Sequence, residues 1–192
     1  MKGFTTKKEF RRSGTPVLTA EITLPVFESS RPPSRFYKSL SRELMRSCSR
    51  HLVPRCQELS VLAAAAGKDF SPGVFTVDFD AFEGRGDIVS ITLKFTYSCC
   101  GQRAYTEEFE TWRAGEMIGI ADLFPQPNPK RAFSMALEGE NLRLAKCALP
   151  YLAPKELRRR EHLALKGRFR ADRTGLVIPG EPELLLAWEN IS

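Results

Sequence analysis

The stretch that decides the fold is IVSITLKFTYS, residues 88–98. Apolar and polar residues alternate along it, and successive side chains of a β-strand point to opposite faces of a sheet. The stretch therefore predicts a strand with one face packed on a core and the other face in water. The core face is predicted to carry Val89, Ile91, Leu93, Phe95 and Tyr97, and the wet face Ser90, Thr92, Lys94, Thr96 and Ser98.

Neighbouring segments with strand character complete a sheet. Residues 74–82 alternate in the same way, and a turn at 100–102 leads to a returning strand at 105–112. A second turn leads to a strand segment at 117–120, and residues 17–27 give the first predicted strand of the chain. Because strands joined by tight turns run antiparallel, we expect an antiparallel sheet.

Helical segments lie on both sides of the central strands in the sequence. From Ser34, a good N-cap, apolar residues recur at helical spacing to Leu52, with an interruption near Pro54. A second helical region is predicted over 128–149, followed by a short basic helix over 154–165 and a closing hairpin around 172–175. The chain is therefore predicted to combine a sheet with two helical regions.

Length and composition indicate one globular domain. A chain of 192 residues with 42% hydrophobic and 27% charged residues can bury a single core. We predict one α+β domain over residues 1–192, in which an antiparallel β-sheet is packed by a long N-terminal helix and a second helical region. Residues 1–15 are expected to be flexible. No signal peptide or membrane span is recognisable, so we expect a cytoplasmic protein, or an extracytoplasmic one if the chain is a piece of a longer protein.

The cysteines indicate neither a zinc site nor a disulfide framework. Their number is odd, none forms a C-x-x-C pair, and the chain has only two histidines. We therefore expect free thiols, no metal and no cofactor, with Cys100 exposed at its turn. The cysteines are Cys48, Cys56, Cys99, Cys100 and Cys147.

An acidic cluster is the candidate for catalytic chemistry. Asp78 and Asp80 share one face of the strand at 74–82, and Glu83 and Asp87 follow it. Neighbouring carboxylates can hold a metal ion or work as acid and base, so a hydrolase is one hypothesis. Charged residues are also common on the solvent face of a strand, and this is the interpretation that we favour. We therefore expect no enzyme activity.

Basic residues form a stripe along the first long helix of a chain whose net charge is +6. A row of cations at helical spacing can contact a polyanion such as nucleic acid. A long helix also needs a charged outer face, so we favour solvation and expect only weak, nonspecific nucleic-acid binding. The stripe consists of Arg35, Lys38, Arg42, Arg46 and Arg50.

The order of these segments and three short motifs resemble a known family. A strand enters the turn Ala114-Gly115-Glu116 and continues into Ile120-Ala121-Asp122-Leu123-Phe124, and a later segment runs from Asp172 to Val177. These match the T-G-[KE], L-x-D-L-F and D-x-x-G-L-V patterns of the extracytoplasmic domain of the lysozyme-sensing anti-sigma-V factor family, which also occurs beside peptidoglycan deacetylase domains. The resemblance covers residues 17–178. Where the family has a G-G-A-H turn, this chain has Cys99 to Ala104.

The resemblance implies a non-catalytic binding module of a Gram-positive, spore-forming or gut bacterium that recognises a protein or a cell-wall ligand. It also implies that the turn after residue 99 and its adjoining strand meet the partner, since loops on a rigid sheet carry recognition. The expected binding residues are Gln102, Arg103, Tyr105 and Trp112, with Trp112 as the exposed aromatic side chain. An assembly protein that dimerises through a sheet edge is the structural alternative, and the oligomeric state and the ligand stay open.

Overall fold

A computed structural model describes residues 1–27, 32–124 and 127–191 of the chain. Within these ranges the chain combines a six-stranded sheet, a three-stranded sheet and several helices, which confirms an α+β fold. It divides into two compact units, the first made of residues 1–80 and 93–107 and the second of residues 81–92 and 108–191.

The six-stranded sheet follows chain order from one edge to the other. Its strands are β1 (Lys2–Arg12), β2 (Thr15–Val26), β3 (Gly73–Glu83), β4 (Ile88–Cys99), β5 (Gln102–Arg113) and β6 (Glu116–Met117). The predicted strands at 17–27, 74–82, 88–98 and 105–112 are therefore present, and each is one to four residues longer than predicted. The predicted segment at 117–120 is reduced to β6, and residues 120–123 form a 3₁₀ turn instead.

Strand β1 was not predicted, because it carries few apolar residues. It pairs with β2 across a turn in which Ser13 and Gly14 have positive φ angles of 47° and 84°. Lys7 lies opposite Glu21, and their charged atoms are 3.1 Å apart. A strand rich in lysine is typical of a sheet edge, where charge discourages pairing with other chains. The flexibility expected for residues 1–15 stays a prediction.

The sheet is mixed rather than purely antiparallel, and the long helix is not N-terminal. Strands β2 and β3 run parallel, from Leu18 opposite Gly73 to Ile22 opposite Val77. Parallel neighbours need a long crossover connection, and here helices α1 (Pro32–Ser47) and α2 (Val53–Ala65) supply it. The expected long helix thus follows two strands and returns the chain to start a parallel third one.

A π-helical turn, Cys48–Leu52, joins α1 to α2. The Val53 N–H donates to the carbonyl of Cys48, five residues earlier. Pro54 follows, has no N–H to donate, and would clash with the carbonyl four residues before it in a regular helix. The predicted interruption near Pro54 therefore takes the form of one widened turn, after which α2 continues.

The first unit has its own apolar core, which α1, the π turn and α2 share with β1, β2 and β4. Two thiols of the helical connection and one from the end of β4 are buried in it. Ser41 of α1 also donates a hydrogen bond to Thr6 of β1 at 3.1 Å. The buried members of this cluster are Phe10, Val17, Leu18, Ala20, Cys48, Cys56 and Cys99.

The second unit contains helices α3 (Pro129–Lys146) and α4 (Pro154–Leu165) and a three-stranded antiparallel sheet. Its strands are β7 (Arg170–Ala171), β8 (Gly175–Ile178) and β9 (Leu184–Ala187). The predicted closing hairpin corresponds to β7 and β8, whereas β9 was not predicted. Phe133 and Leu137 of α3 pack with Leu176 and Leu186 in its core. No helix in the described residues is long and apolar enough to cross a membrane.

The polar face of β4 was predicted to be exposed to solvent, but its first half is buried. Ser90 is fully buried, and its hydroxyl lies 2.8 Å from the Thr111 hydroxyl of β5. It also accepts a hydrogen bond from the Ala171 N–H at 2.7 Å. Thr92 is buried as well, and its hydroxyl has no partner among the described residues. Alternation correctly predicted the strand, but both faces of its first half are covered.

Candidate binding site

The turn between β4 and β5 is a tight hairpin. Cys100 and Gly101 both have positive φ angles, 49° and 80°. Two successive positive φ angles are typical of the type I′ turn, whose twist matches that of paired strands. Gly101 accepts this conformation readily, since it has no Cβ. The turn starts β5 at Gln102, three residues earlier than predicted.

The first half of β5, residues 102–107, is exposed on both faces. Every residue from Gln102 to Thr106 is exposed, and Glu107 is half-buried. Because side chains alternate, Arg103, Tyr105 and Glu107 share one face, whereas Gln102 lies on the other. We call residues 100–107 the hairpin tip.

Tyr105 is the exposed aromatic residue of the hairpin tip. It is 60% exposed, and its hydroxyl donates a hydrogen bond to the Glu107 carboxylate at 2.5 Å. This hydrogen bond, with a smaller contribution from burial, raises the pKa of Tyr105 to about 12. The phenol therefore stays protonated at neutral pH. Glu107 orients the Tyr105 phenol through this hydrogen bond, and it was not among the predicted binding residues. Its position two residues after Tyr105 on a predicted strand places both side chains on one face, which could have indicated the contact.

The prediction that Trp112 is the exposed aromatic residue is wrong. Trp112 is only 6% exposed and lies opposite Met117, where β5 pairs with β6. Its neighbour Thr111 is also buried, at 2% exposure. Successive strand residues face opposite sides, so both faces of β5 are covered at this end. Trp112 is therefore not accessible to a ligand at this end of β5.

Gln102 and Arg103 remain accessible, as predicted. Neither side chain has a hydrogen bond or an ion pair with another described residue. Unpaired amide and guanidinium groups on an exposed strand retain their hydrogen-bonding capacity for a ligand. Three of the four expected residues, Gln102, Arg103 and Tyr105, therefore lie together on the exposed first half of β5, whereas Trp112 lies at its buried end.

The hairpin tip also has an open strand edge. Strand β6 pairs with β5 only at Trp112 and Arg113. In the described part of the chain, residues 102–107 of β5 thus have β4 on one side and no strand on the other. The backbone N–H and C=O groups on this side are available to an incoming strand.

The acidic residues near the end of β3 each interact with a different partner and do not form a common site. The Asp80 carboxylate lies 2.5 Å from the Lys94 ammonium, and the Asp78 carboxylate accepts a hydrogen bond from the Phe79 N–H. The Glu83 carboxylate lies 2.7 Å from the Arg173 guanidinium, whose hydrogen bond lowers the pKa of Glu83. Within the described residues, no three Asp, Glu, His or Cys side chains are grouped so that they could hold a metal ion.

All five cysteines are free, as expected. Cys100 is exposed at the hairpin tip, in agreement with the prediction, and its sulfur lies 3.9 Å from that of buried Cys99. Cys147, at the end of α3, is exposed too, which the sequence did not indicate. Burial raises the pKa of the Cys48 thiol to about 11, so this group is a neutral part of the core.

Comparison with known proteins shows a shared fold. No protein-family model matches the sequence. No curated protein matches it either. The crystal structure of a DUF3298 family member from Bacteroides fragilis is similar, with a TM-score of 0.61 at 11% sequence identity, over 98% of this chain and 90% of that one. A DUF3298 family protein from Pseudomonas aeruginosa gives 0.49 at 11% identity, over 98% and 89% of the two chains. The chain therefore has a fold similar to that of the Bacteroides protein.

Proposed function

We propose that this protein is a non-catalytic binding module that recognises a protein or cell-wall ligand with its hairpin tip. The observation that carries the proposal is the exposure of residues 102–106 on both faces, together with the open edge of β5 along residues 102–107. A strand this exposed contributes little to a core, whereas its side chains and backbone are well placed to contact a ligand.

The chemistry of the hairpin tip favours a polypeptide partner. An added strand would hydrogen-bond to the open edge of β5, and Arg103 and Tyr105 on one face and Gln102 on the other would contact its side chains. Tyrosine and arginine are enriched among the residues that dominate binding energies. Cell-wall glycan is the other ligand class, because an exposed tyrosine ring can stack on a sugar.

Two likenesses support this proposal. The motifs at 114–124 and 172–177 resemble the sensor domain of the lysozyme-sensing anti-sigma-V factor family. The similarity of the fold to a DUF3298 protein is consistent with a domain of that general kind. We propose that the chain is a relative of such sensors whose turn at 99–104 has changed its ligand.

Binding measurements with paired variants test the proposal. We would titrate the protein with hen lysozyme and, separately, with soluble peptidoglycan fragments, by isothermal calorimetry. The variant Arg103→Ala/Tyr105→Ala removes both side chains from one face of the hairpin tip. The control Arg85→Ala/Tyr151→Ala makes the same substitutions at exposed residues elsewhere, and Tyr151 is 60% exposed like Tyr105.

We expect at least one probe to bind, and the hairpin-tip variant to bind it at least about tenfold more weakly, which is the loss of about 1.4 kcal/mol typical of one important interface residue. The control should bind within about twofold of the unmodified protein. Absence of binding to both probes, or an equal loss in the two variants, would contradict the proposal.

A further inference from the structure

Three arginines of the helical connection in the first unit face one shallow cavity. Arg42, Arg46 and Arg50 are spaced four residues apart, and all three line a cavity of about 440 Å³. We call them the arginine row. All are exposed. The rest of the lining is polar as well: Ser39, Glu43, Ser47 and His51.

The π-helical turn keeps the row aligned. A regular α-helix has about 3.6 residues per turn, so two side chains four residues apart differ in direction by a little more than one full turn. A row at this spacing therefore winds slowly around the helix. A turn closed by hydrogen bonds five residues apart holds more residues, and each of them turns the chain through a smaller angle. Arg50 lies inside this turn, Cys48–Leu52, and faces the same cavity as Arg42 and Arg46. π-Helical turns occur frequently at functional sites.

The charges of the arginine row are not neutralised by the residues that the structure describes. No ion pair joins Arg42, Arg46 or Arg50 to a carboxylate of the described residues. Among the described residues, their one side-chain hydrogen bond runs from Arg42 Nε to the Lys38 carbonyl at 3.2 Å, and the terminal guanidinium nitrogens have no partner there.

Three exposed arginines of the second unit are paired instead. The guanidinium groups of Arg143, Arg159 and Arg173 lie 2.6 to 2.7 Å from the carboxylates of Glu140, Glu156 and Glu83, respectively. A solvated helix face in this protein can therefore carry paired arginines. The arginine row differs from these three arginines because its guanidinium groups line one cavity together and have no ion pair with a carboxylate of the described residues.

We propose that the arginine row binds the phosphate backbone of a nucleic acid through charge, without reading its bases. The arginines repeat every 6 Å or so along the helix, since four residues rise by about 1.5 Å each. A linear array suits a chain of phosphates, and planar guanidinium groups bind phosphate oxygens in pairs. This site is independent of the ligand proposed for the hairpin tip.

The lining of the cavity favours nucleic acid over a membrane surface. Helices that bind membranes place apolar side chains beside their cations, and the lining of this cavity has none. It also has no Phe, Tyr or Trp on which a base could stack, so sequence-independent contact with a duplex backbone is the mode that fits. Lys38 lines an adjoining cavity of about 610 Å³ together with Arg42 and Arg46 and extends the positive surface, and the lining of that second cavity also includes the apolar side chains of Phe4 and Met45.

The test is the salt dependence of binding to a mixed-sequence DNA duplex of about 20 base pairs, measured by fluorescence anisotropy. Three phosphate contacts predict a slope of about −2.7 in a plot of log affinity against log salt, or about 40-fold weaker binding at 200 mM than at 50 mM salt. The variant Arg42→Gln/Arg46→Gln/Arg50→Gln should lose this slope. Glutamine preserves helix propensity, and circular dichroism would confirm that the variant folds.

Two control variants make the experiment specific. Arg143→Gln/Arg159→Gln/Arg173→Gln lowers the net charge of +6 by the same three units and should retain the slope. The variant in which all three arginines of the row are replaced by lysine keeps the charges and should retain most of the slope. The proposal is refuted if the unmodified protein does not bind DNA at 50 mM salt, if the paired-arginine control loses as much affinity as the row variant, or if the protein prefers anionic vesicles to DNA.

Discussion

Removal of one buried hydroxyl should weaken the second unit measurably. Ser90 lies where three strands meet, and its oxygen accepts the Ala171 N–H and contacts the Thr111 hydroxyl. In Ser90→Ala the Ala171 N–H is left buried without a partner, which costs about 1–3 kcal/mol. The Thr111 hydroxyl loses a hydrogen bond worth about 1 kcal/mol. We therefore expect the free energy of unfolding to fall by about 2–4 kcal/mol.

A second hydroxyl on the same strand provides the matched control. The Thr92 hydroxyl is buried like that of Ser90, but has no partner among the described residues. Thr92→Val replaces it by a methyl group of similar shape, so stability should stay within about 0.5 kcal/mol or rise. Urea denaturation followed by circular dichroism measures both changes, provided the m-value is unchanged. If Ser90→Ala costs no more than Thr92→Val, the hydrogen-bond argument is refuted.

Three further predictions concern the second unit and the whole chain. Hydrogen bonds from Arg159 and Arg160 lower the pKa of Glu156 from 4.5 to about 2. The ionised Glu156 therefore stabilises the folded protein above pH 4.5, and this stabilisation is lost as the pH falls towards 2. Thermal unfolding of Glu156→Gln should depend less on pH across that range than thermal unfolding of the unmodified protein. Gly180→Ala should lower the free energy of unfolding by about 1–3 kcal/mol, measured by urea denaturation. Gly180 has a φ of +138°, and a Cβ there would overlap the buried Arg160 guanidinium. An unchanged urea midpoint would contradict this close packing. One domain over residues 1–192 predicts a single calorimetric transition with equal calorimetric and van't Hoff enthalpies, whereas two separate transitions would show that the compact units unfold independently.

The sequence predicted those elements whose pattern is local. Alternation from Ile88 to Ser98 gave β4, and the cap-proline order at Asn128 gave the start of α3. Proline and glycine marked the interruption near Pro54 and the hairpin turn at Gly101. In each case the signal and the structure it dictates lie within a few residues, so no tertiary information was needed.

The elements that were missed depend on neighbours. Strand β1 is held by pairing with β2, and its own residues are mostly polar. The parallel pairing of β2 with β3 depends on the helical crossover between them, which is a property of the order of elements and not of either strand alone. Ser90 and Thr92 are buried because other strands cover them, which alternation alone does not reveal.

The candidate site was predicted in part for the same reason. Gln102, Arg103 and Tyr105 follow directly from the position of the turn, and all three are exposed. The exposure of Trp112 depended instead on what lies against the far end of β5, and that end is covered on both faces. Accessibility close to a turn is a local property, whereas accessibility within a sheet depends on the whole fold.

The most direct test of the binding proposal is a map of the ligand contact on the protein by NMR. Amide chemical shifts of the uniformly ¹⁵N-labelled chain would be followed during titration with hen lysozyme or with peptidoglycan fragments. We predict that the largest shifts fall on residues 102–107, with smaller shifts on the paired end of β4 and none on the arginine row. Shifts confined to another surface, or no shifts with either probe, would contradict the assignment of the hairpin tip as the ligand-binding surface.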